Sequence, residues 1–139
     1  MSETLHQATC VALDGRGLLI HGEPGSGKTS LALALIDRGA ELVGDDGVAL
    51  ELRSEKLWAC PPRHTAGLVE IRNVGLAILP AVPAPVSLAV TLDSSAARLP
   101  EGPDGLEIMG RTIPHVTLCP DAAALVLRAE YALRLHGLA

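Results

Sequence analysis

The sequence predicts an α/β fold: a mixed sheet, one helix directly after a glycine-rich loop, and one helix near the C-terminal end. Three observations predict it. A strand-like run, residues 17–21, leads into Gly22-Glu23-Pro24-Gly25-Ser26-Gly27-Lys28-Thr29, and a helix-like run, residues 30–38, leads out. Residues 86–93 alternate apolar and polar side chains, the period of a half-buried strand. Residues 122–135 carry apolar side chains at helical spacing behind Pro120-Asp121, which supplies an N-terminal signal. With 139 residues, one domain spanning 1–139 is expected. Apolar residues make up 48% of the chain, but there is no Phe, one Tyr and one Trp, so the core is aliphatic.

Residues 4–13 look like a first strand, and Asp14-Gly15-Arg16-Gly17 like the hairpin turn that returns the chain antiparallel over residues 18–21. The octapeptide that follows fits G-x-x-x-x-G-K-[ST] in full, and its strand–loop–helix context turns the pattern into evidence. Glycines let successive backbone N–H groups turn inward around a phosphate, and the next helix adds its positive N-terminal pole. Lys28 suits β- and γ-phosphate oxygens, and the Thr29 hydroxyl suits magnesium. The bland alternative is a Gly-rich strand-to-helix turn, which the flanks and the Lys-Thr pair disfavour. In the helix, Leu31, Ala34 and Leu35 fall on one face, and Gly39 stands where a left-handed C-cap belongs.

Residues 40–46 read as a short strand ending in Asp45-Asp46, eighteen residues beyond Lys28. One carboxylate there could hold magnesium or its water, and the other could accept a proton from an attacking hydroxyl. A solvated Asp-Asp turn is the alternative. Residues 48–53 and 57–60 read as a hairpin around Ser54-Glu55-Lys56, with Trp58 as a packing residue. Pro61-Pro62-Arg63-His64 breaks the chain. In the segment 66–78, Glu70 and Arg72 lie two apart, which on a strand puts both on one side and Val69 and Ile71 on the other. They could pair with each other, or serve a magnesium ion and a phosphate. Residues 80–85 read as a stiff connection, 102–105 as a turn, and 107–111 and 113–118 as short strands around Gly110.

Several function classes are disfavoured by composition. The net charge is −5 without a Lys/Arg cluster, so nucleic acid and anionic membrane are poor partners. No apolar run approaches a membrane span. Cys10, Cys60 and Cys119 are widely spaced and form no C-x-x-C, which reads as reduced thiols and a cytoplasmic setting. Five histidines show no metal-ligand spacing.

The order of these segments is that of a known family. His6, Asp-Gly-Arg-Gly, the loop 22–29, Arg38-Gly39-Ala40-Glu41-Leu42-Val43-Gly44-Asp45-Asp46 and Gly67-Leu68-Val69-Glu70-Ile71-Arg72-Asn73-Val74-Gly75 follow one another. The chain resembles the catalytic domain of bacterial HPr kinase/phosphorylase, in its short form without the N-terminal domain. The resemblance covers nearly the whole chain, and Glu-Ile-Arg-x-Val-Gly (Glu70, Ile71, Arg72, Asn73, Val74, Gly75) is its most specific part. It implies a P-loop fold related to PEP carboxykinase, ATP and magnesium as cofactors, and a serine hydroxyl of the phosphocarrier protein HPr as acceptor. It also implies a hexameric homo-oligomer and, in many members, reversal of the reaction by inorganic phosphate.

Carried over by position, the resemblance makes Lys28 the loop lysine, and Thr29 and Glu70 the metal-binding hydroxyl and carboxylate. Asp46 becomes the acid/base, with Asp45 its neighbour. Arg98 and His6 join the site, and Arg72 becomes a phosphate or partner contact. The chain departs from the family pattern at Ser30, where Glu is common, at Gly47, and at Asn73, which replaces Gly. One residue more than usual separates His6 from the loop, the segment after Glu70 is short, and Asp121-Ala122 stands in place of a Gly-Arg-Asn run associated with phosphorolysis. Two other functions compete: an ATP-binding regulatory module with little kinase activity, and a kinase acting on another protein or a small hydroxylated metabolite.

Overall fold

The computed structural model describes residues 4–120 and 123–139. The chain runs β1 (Thr4–His6), β2 (Thr9–Leu13), β3 (Arg16–Gly22), α1 (Lys28–Asp37), β4 (Glu41–Gly44), β5 (Val48–Arg53), β6 (Lys56–Cys60), β7 (Leu68–Ile71), β8 (Gly75–Ile78), β9 (Ala84–Leu92), β10 (Asp104–Ile108), β11 (Arg111–Leu118) and α2 (Leu125–His136). It is a mixed α/β fold. Nine strands form one sheet in the order β1-β5-β6-β9-β3-β2-β4, with β11 on β9 and β10 on β11. β7 and β8 form a separate hairpin.

β9 is the spine. β3 lies parallel along one edge, with Ile20 opposite Val90 and Gly22 opposite Leu92. On the other edge β6 takes Ala84 and Pro85 antiparallel, and β11 takes Ala89 to Leu92 parallel. The C-terminal ends of β3, β9 and β11 therefore lie side by side, the edge at which open α/β sheets bind ligands.

Alternation along the strands sorts the core into two faces. Leu18, Ile20, Leu88, Val90 and Leu92 pack with Leu31, Ala32 and Leu35 of α1 and with Leu125, Ala129 and Leu133 of α2. Leu19, Ala89, Val86 and Cys10 pack on the opposite face against Val48, Leu50, Leu57 and Ala59. α1 ends in a Schellman motif: the Ala40 N–H donates to the Leu35 carbonyl, the Gly39 N–H to the Ile36 carbonyl, and Gly39 takes φ 109°.

The β2–β3 hairpin, the β5–β6 hairpin and the C-cap follow the sequence expectation. Other elements differ. Residues 4–13 form two strands, because β1 pairs with β5 whereas β2 pairs with β3 and β4. Ala32, not Ala34, completes the buried face of α1, where it packs with the helix-facing side of the sheet and with α2. Arg72 lies in the turn between β7 and β8 and is exposed, so it does not share a strand face with Glu70. Asn73 at the same turn takes φ 69°, a left-handed value that Asn tolerates better than most residues, which accounts for its standing in place of Gly. β10 begins at Asp104, inside the expected turn, and Arg111 opens β11. α2 begins at Leu125; the expected start at Asp121 and Ala122 lies outside the described residues. Trp58 is half-buried, with the Arg53 guanidinium 4.8 Å from its ring centroid.

Candidate functional site

The loop 22–29 emerges from β3 at the C-terminal edge and closes onto α1. Gly25 takes φ 81° and Gly27, the N-cap residue of α1, takes φ 102°; no side chain caps that helix end. A Cβ at either glycine would point into open space, so both glycines serve the backbone turn and leave the concave side of the loop clear. A Cβ on Gly22 would collide with the Ser26 hydroxyl. That hydroxyl is buried without a hydrogen-bond partner. The Lys28 ammonium donates to the Gly22 carbonyl at 2.7 Å, folded over the loop's own backbone.

Asp45 and Asp46 leave β4 in a tight turn. A side chain on Gly44 would run into the Gly47 carbonyl and Val48, so only Gly lets the strand end there. Asp46 takes φ 62°, which short polar residues adopt at lower cost than branched ones. The turn separates the two carboxylates. Asp45 Oδ1 accepts the Thr29 hydroxyl at 2.8 Å and the Thr9 hydroxyl at 3.2 Å. The Thr9 oxygen in turn accepts the Asp46 N–H at 3.1 Å. Asp46 itself is exposed. It is thus Asp45 that meets Thr29, the carboxylate that the resemblance made the neighbour of the acid/base.

Across the sheet lies a second polar group. The His6 and His21 rings stand edge to face, with Nε2 atoms 2.8 Å apart. Only one of the two can carry the shared proton, so the pair is kept from double protonation. Burial pushes His21 down to about 4; His6 beside it, then His115 and Lys28, push the same way. Burial also lowers His6. On the neighbouring strands Thr91 Oγ1 lies 2.8 Å from His115 Nε2, and His115 Nδ1 lies 3.4 Å from Asp104. His115 and Asp104 line a cavity of about 210 Å³ with Ser95, Pro100 and Thr117.

The expected residues thus fall into two sets. Lys28, Thr29, Asp45 and Asp46 gather at the loop, and His6 joins through β1 beside the Asp-Asp turn. Glu70, Arg72 and Arg98 are exposed, and none of them makes a hydrogen bond or ion pair to that group. Glu70 sits on the separate hairpin, which packs by β7 against α1. Among the described residues no cluster of three or more His, Cys, Asp or Glu stands ready as a metal cage. Thr9, His21 and His115 were not singled out from the sequence. A Thr or His within an apolar strand carries no local signal; their partners come from strands far away in the chain.

The donor set fits a nucleotide with magnesium. The open glycine turn and uncapped helix end suit phosphate oxygens, Lys28 stands at the loop, and a hydroxyl–carboxylate pair is the oxygen chemistry that Mg²⁺ takes. Among the described residues no helix is long and apolar enough to cross a membrane.

Comparison with known proteins bears on the same residues. The family model for the HPr Serine kinase C-terminal domain matches residues 1–81, which hold the loop, the Asp-Asp turn and the Glu70 hairpin. An HPr kinase/phosphorylase of Clostridium tetani is 40% identical over 80 residues, covering 58% of this chain and 26% of that protein. One of Streptococcus gordonii is 35% identical over 118 residues, covering 75% and 38%. The chain therefore spans about a quarter to two fifths of the length of these relatives. A solved structure, the Hpr(Ser) kinase/phosphatase from Coxiella burnetii, superposes with a TM-score of 0.83 at 26% identity, covering 94% of this chain and 89% of that one. Fold, loop and sequence agree: the chain belongs to the HPr serine kinase C-terminal domain family.

Proposed function

We propose that this chain is an ATP- and magnesium-dependent phosphotransferase that phosphorylates a serine hydroxyl of HPr. The observation that carries the reading is the Thr29–Asp45 hydroxyl–carboxylate pair, closed at 2.8 Å at the first turn of the helix that the glycine loop opens. The family relationship supplies HPr as the acceptor.

In this reading the backbone of residues 22–29 and the N-terminal end of α1 bind and orient the phosphates. Lys28 supplies positive charge to the transferring group, and Arg98 adds to it from the loop after β9. Thr29 and Asp45 would hold the metal, with Glu70 as a further ligand. Magnesium, when bound there, would supply positive charge to the phosphates. Asp46 accepts the proton of the attacking serine hydroxyl. His6 borders that turn, and His21 fixes its ring. Positioning and charge stabilisation supply most of the acceleration. The hairpin from Leu68 to Ile78 contacts a second copy of the chain in a homo-oligomer.

The test is phosphotransfer from labelled ATP with magnesium to purified HPr, beside HPr whose acceptor serine is alanine. Label on the first and not the second is expected. No label on either, with ATP binding intact, would move the function to a regulatory module or another acceptor. Asp46→Asn is the informative variant, because Asn also tolerates a left-handed backbone. It should keep ATP binding and lose transfer by about a hundredfold or more, the scale of a lost general base. Full activity would exclude Asp46 from that role.

A further inference from the structure

We propose that Thr9 is a positioning residue of this site, setting both carboxylates of the Asp-Asp turn through a single hydroxyl. The inference rests on the phosphotransferase reading and adds a residue to it.

Thr9 is completely buried at the start of β2, although it is polar and the strand around it is apolar. A buried hydroxyl without partners costs on the order of 1–3 kcal/mol, so its bonds explain its presence. It uses its donor and one acceptor site. Its O–H donates to Asp45 Oδ1 at 3.2 Å, and its oxygen accepts the Asp46 N–H at 3.1 Å. Together with Thr29, it places two hydroxyls on Asp45 Oδ1. That leaves Oδ2 as the oxygen of Asp45 free to face a cation. The bond to the Asp46 N–H holds the residue whose φ is 62°, and so sets where its carboxylate stands.

The surrounding fold aims Thr9 at this turn. Its strand position shares the helix-side face with Val11, over which α1 packs and from which Thr29 approaches. β2 and β4 slip register between Cys10 and Val11, so that β4 carries one residue more just before Gly44. A bulge of this kind re-aims the chain beyond it, here Asp45 and Asp46.

The experiment compares the wild-type chain, Thr9→Val and Thr9→Ser. Val keeps shape and strand preference but removes the hydroxyl; Ser keeps the hydroxyl and removes the methyl. For each, a fluorescent ATP analogue is titrated at rising magnesium, and transfer to HPr gives KM and kcat. Thr9→Val should need about tenfold more magnesium for half-maximal binding and lose about ten- to hundredfold in kcat, with a smaller change in KM for HPr. Thr9→Ser should recover most of both. Wild-type magnesium dependence and kcat in Thr9→Val would overturn the proposal, as would a Ser variant as impaired as Val, since packing by the methyl would then be the cause. If Thr9→Val does not fold, Thr9→Ser beside Thr9→Ala under the same titration decides: equal defects overturn the proposal. A wild-type chain that binds magnesium-nucleotide but transfers nothing defeats the kinase reading alone, because the binding titration still reads Thr9. Absence of nucleotide binding in the wild type overturns both.

Discussion

His21 shows what a single side chain costs at this site. Its ring is held near His6 and partly buried, and its pKa is pushed down to about 4 from 6.5 by burial first and His6 second. In the unfolded chain His21 regains the ordinary value, so as pH falls the unfolded state takes the proton first. The neutral ring's contribution is full above about 6.5 and is lost progressively down to about 4. Discounted for partial exposure, the loss is on the order of 1–2 kcal/mol. Melting temperatures at pH 7.5 and 5.0 should therefore fall further apart in the wild type than in His21→Gln. Equal pH sensitivity in the two would remove His21 as the cause. His21 also marks a limit of reading by residue. Lys28 and Thr29 announce themselves because their role is fixed by neighbours in the chain. His21 and Thr9 do not, because their roles come from His6 and Asp45, across strands that only the folded sheet brings together.

Among the elements, the glycines around α1 and β4 separate two uses of a missing side chain. Gly39 closes the Schellman motif at φ 109°, and a Cβ there would meet nothing. Gly39→Ala should cost about 1 kcal/mol through backbone strain alone, lowering Tm by about 3 °C with nucleotide binding unchanged. Gly44 has ordinary space for no Cβ at all, because the Gly47 carbonyl closes the turn. Gly44→Ala should destabilise more and weaken magnesium-dependent nucleotide binding as well, since relieving the clash moves Asp45. Thermal melts with a nucleotide titration of both variants check the contrast; a binding defect of the same size in both would refute it. The first of these glycines was legible, because a helix stop is local chemistry. The hairpin β2–β3 and the helix α1 were legible for the same reason. The division of residues 4–13 into β1 and β2 was not, since it depends on β5 claiming one piece and β4 the other. Arg72 was misplaced because a two-residue period says nothing about where a strand stops, and this one stops at Ile71.

At the scale of the whole molecule, the sheet leaves the β7–β8 hairpin without a third strand. Cross-strand pairing sets Leu68 beside Ile78 and Glu70 beside Leu76, so these four share one face. Leu76 and Ile78 are 70% and 80% exposed, and Val74 at the turn 79%. Single exposed apolar residues are ordinary, but a contiguous group flanking a carboxylate on an otherwise unpaired hairpin is the profile of a contact surface. The proposed homo-oligomer gives it an occupant, a second copy of the chain. Leu76→Asp with Ile78→Asp places two charges on that face without touching the loop or the Asp-Asp turn. Sedimentation should then show a wild-type species of several protomers and a variant shifted to the single chain. Magnesium-free nucleotide binding per protomer should stay within about twofold, because both substitutions leave the phosphate loop untouched and only Glu70, a metal ligand in the proposed site, lies beside Leu76. An unchanged assembly would free this face from the interface. It would leave the hairpin, with Glu70 in its midst, as a surface for the phosphoacceptor instead, and the double variant would then raise KM for HPr while the assembly stayed intact.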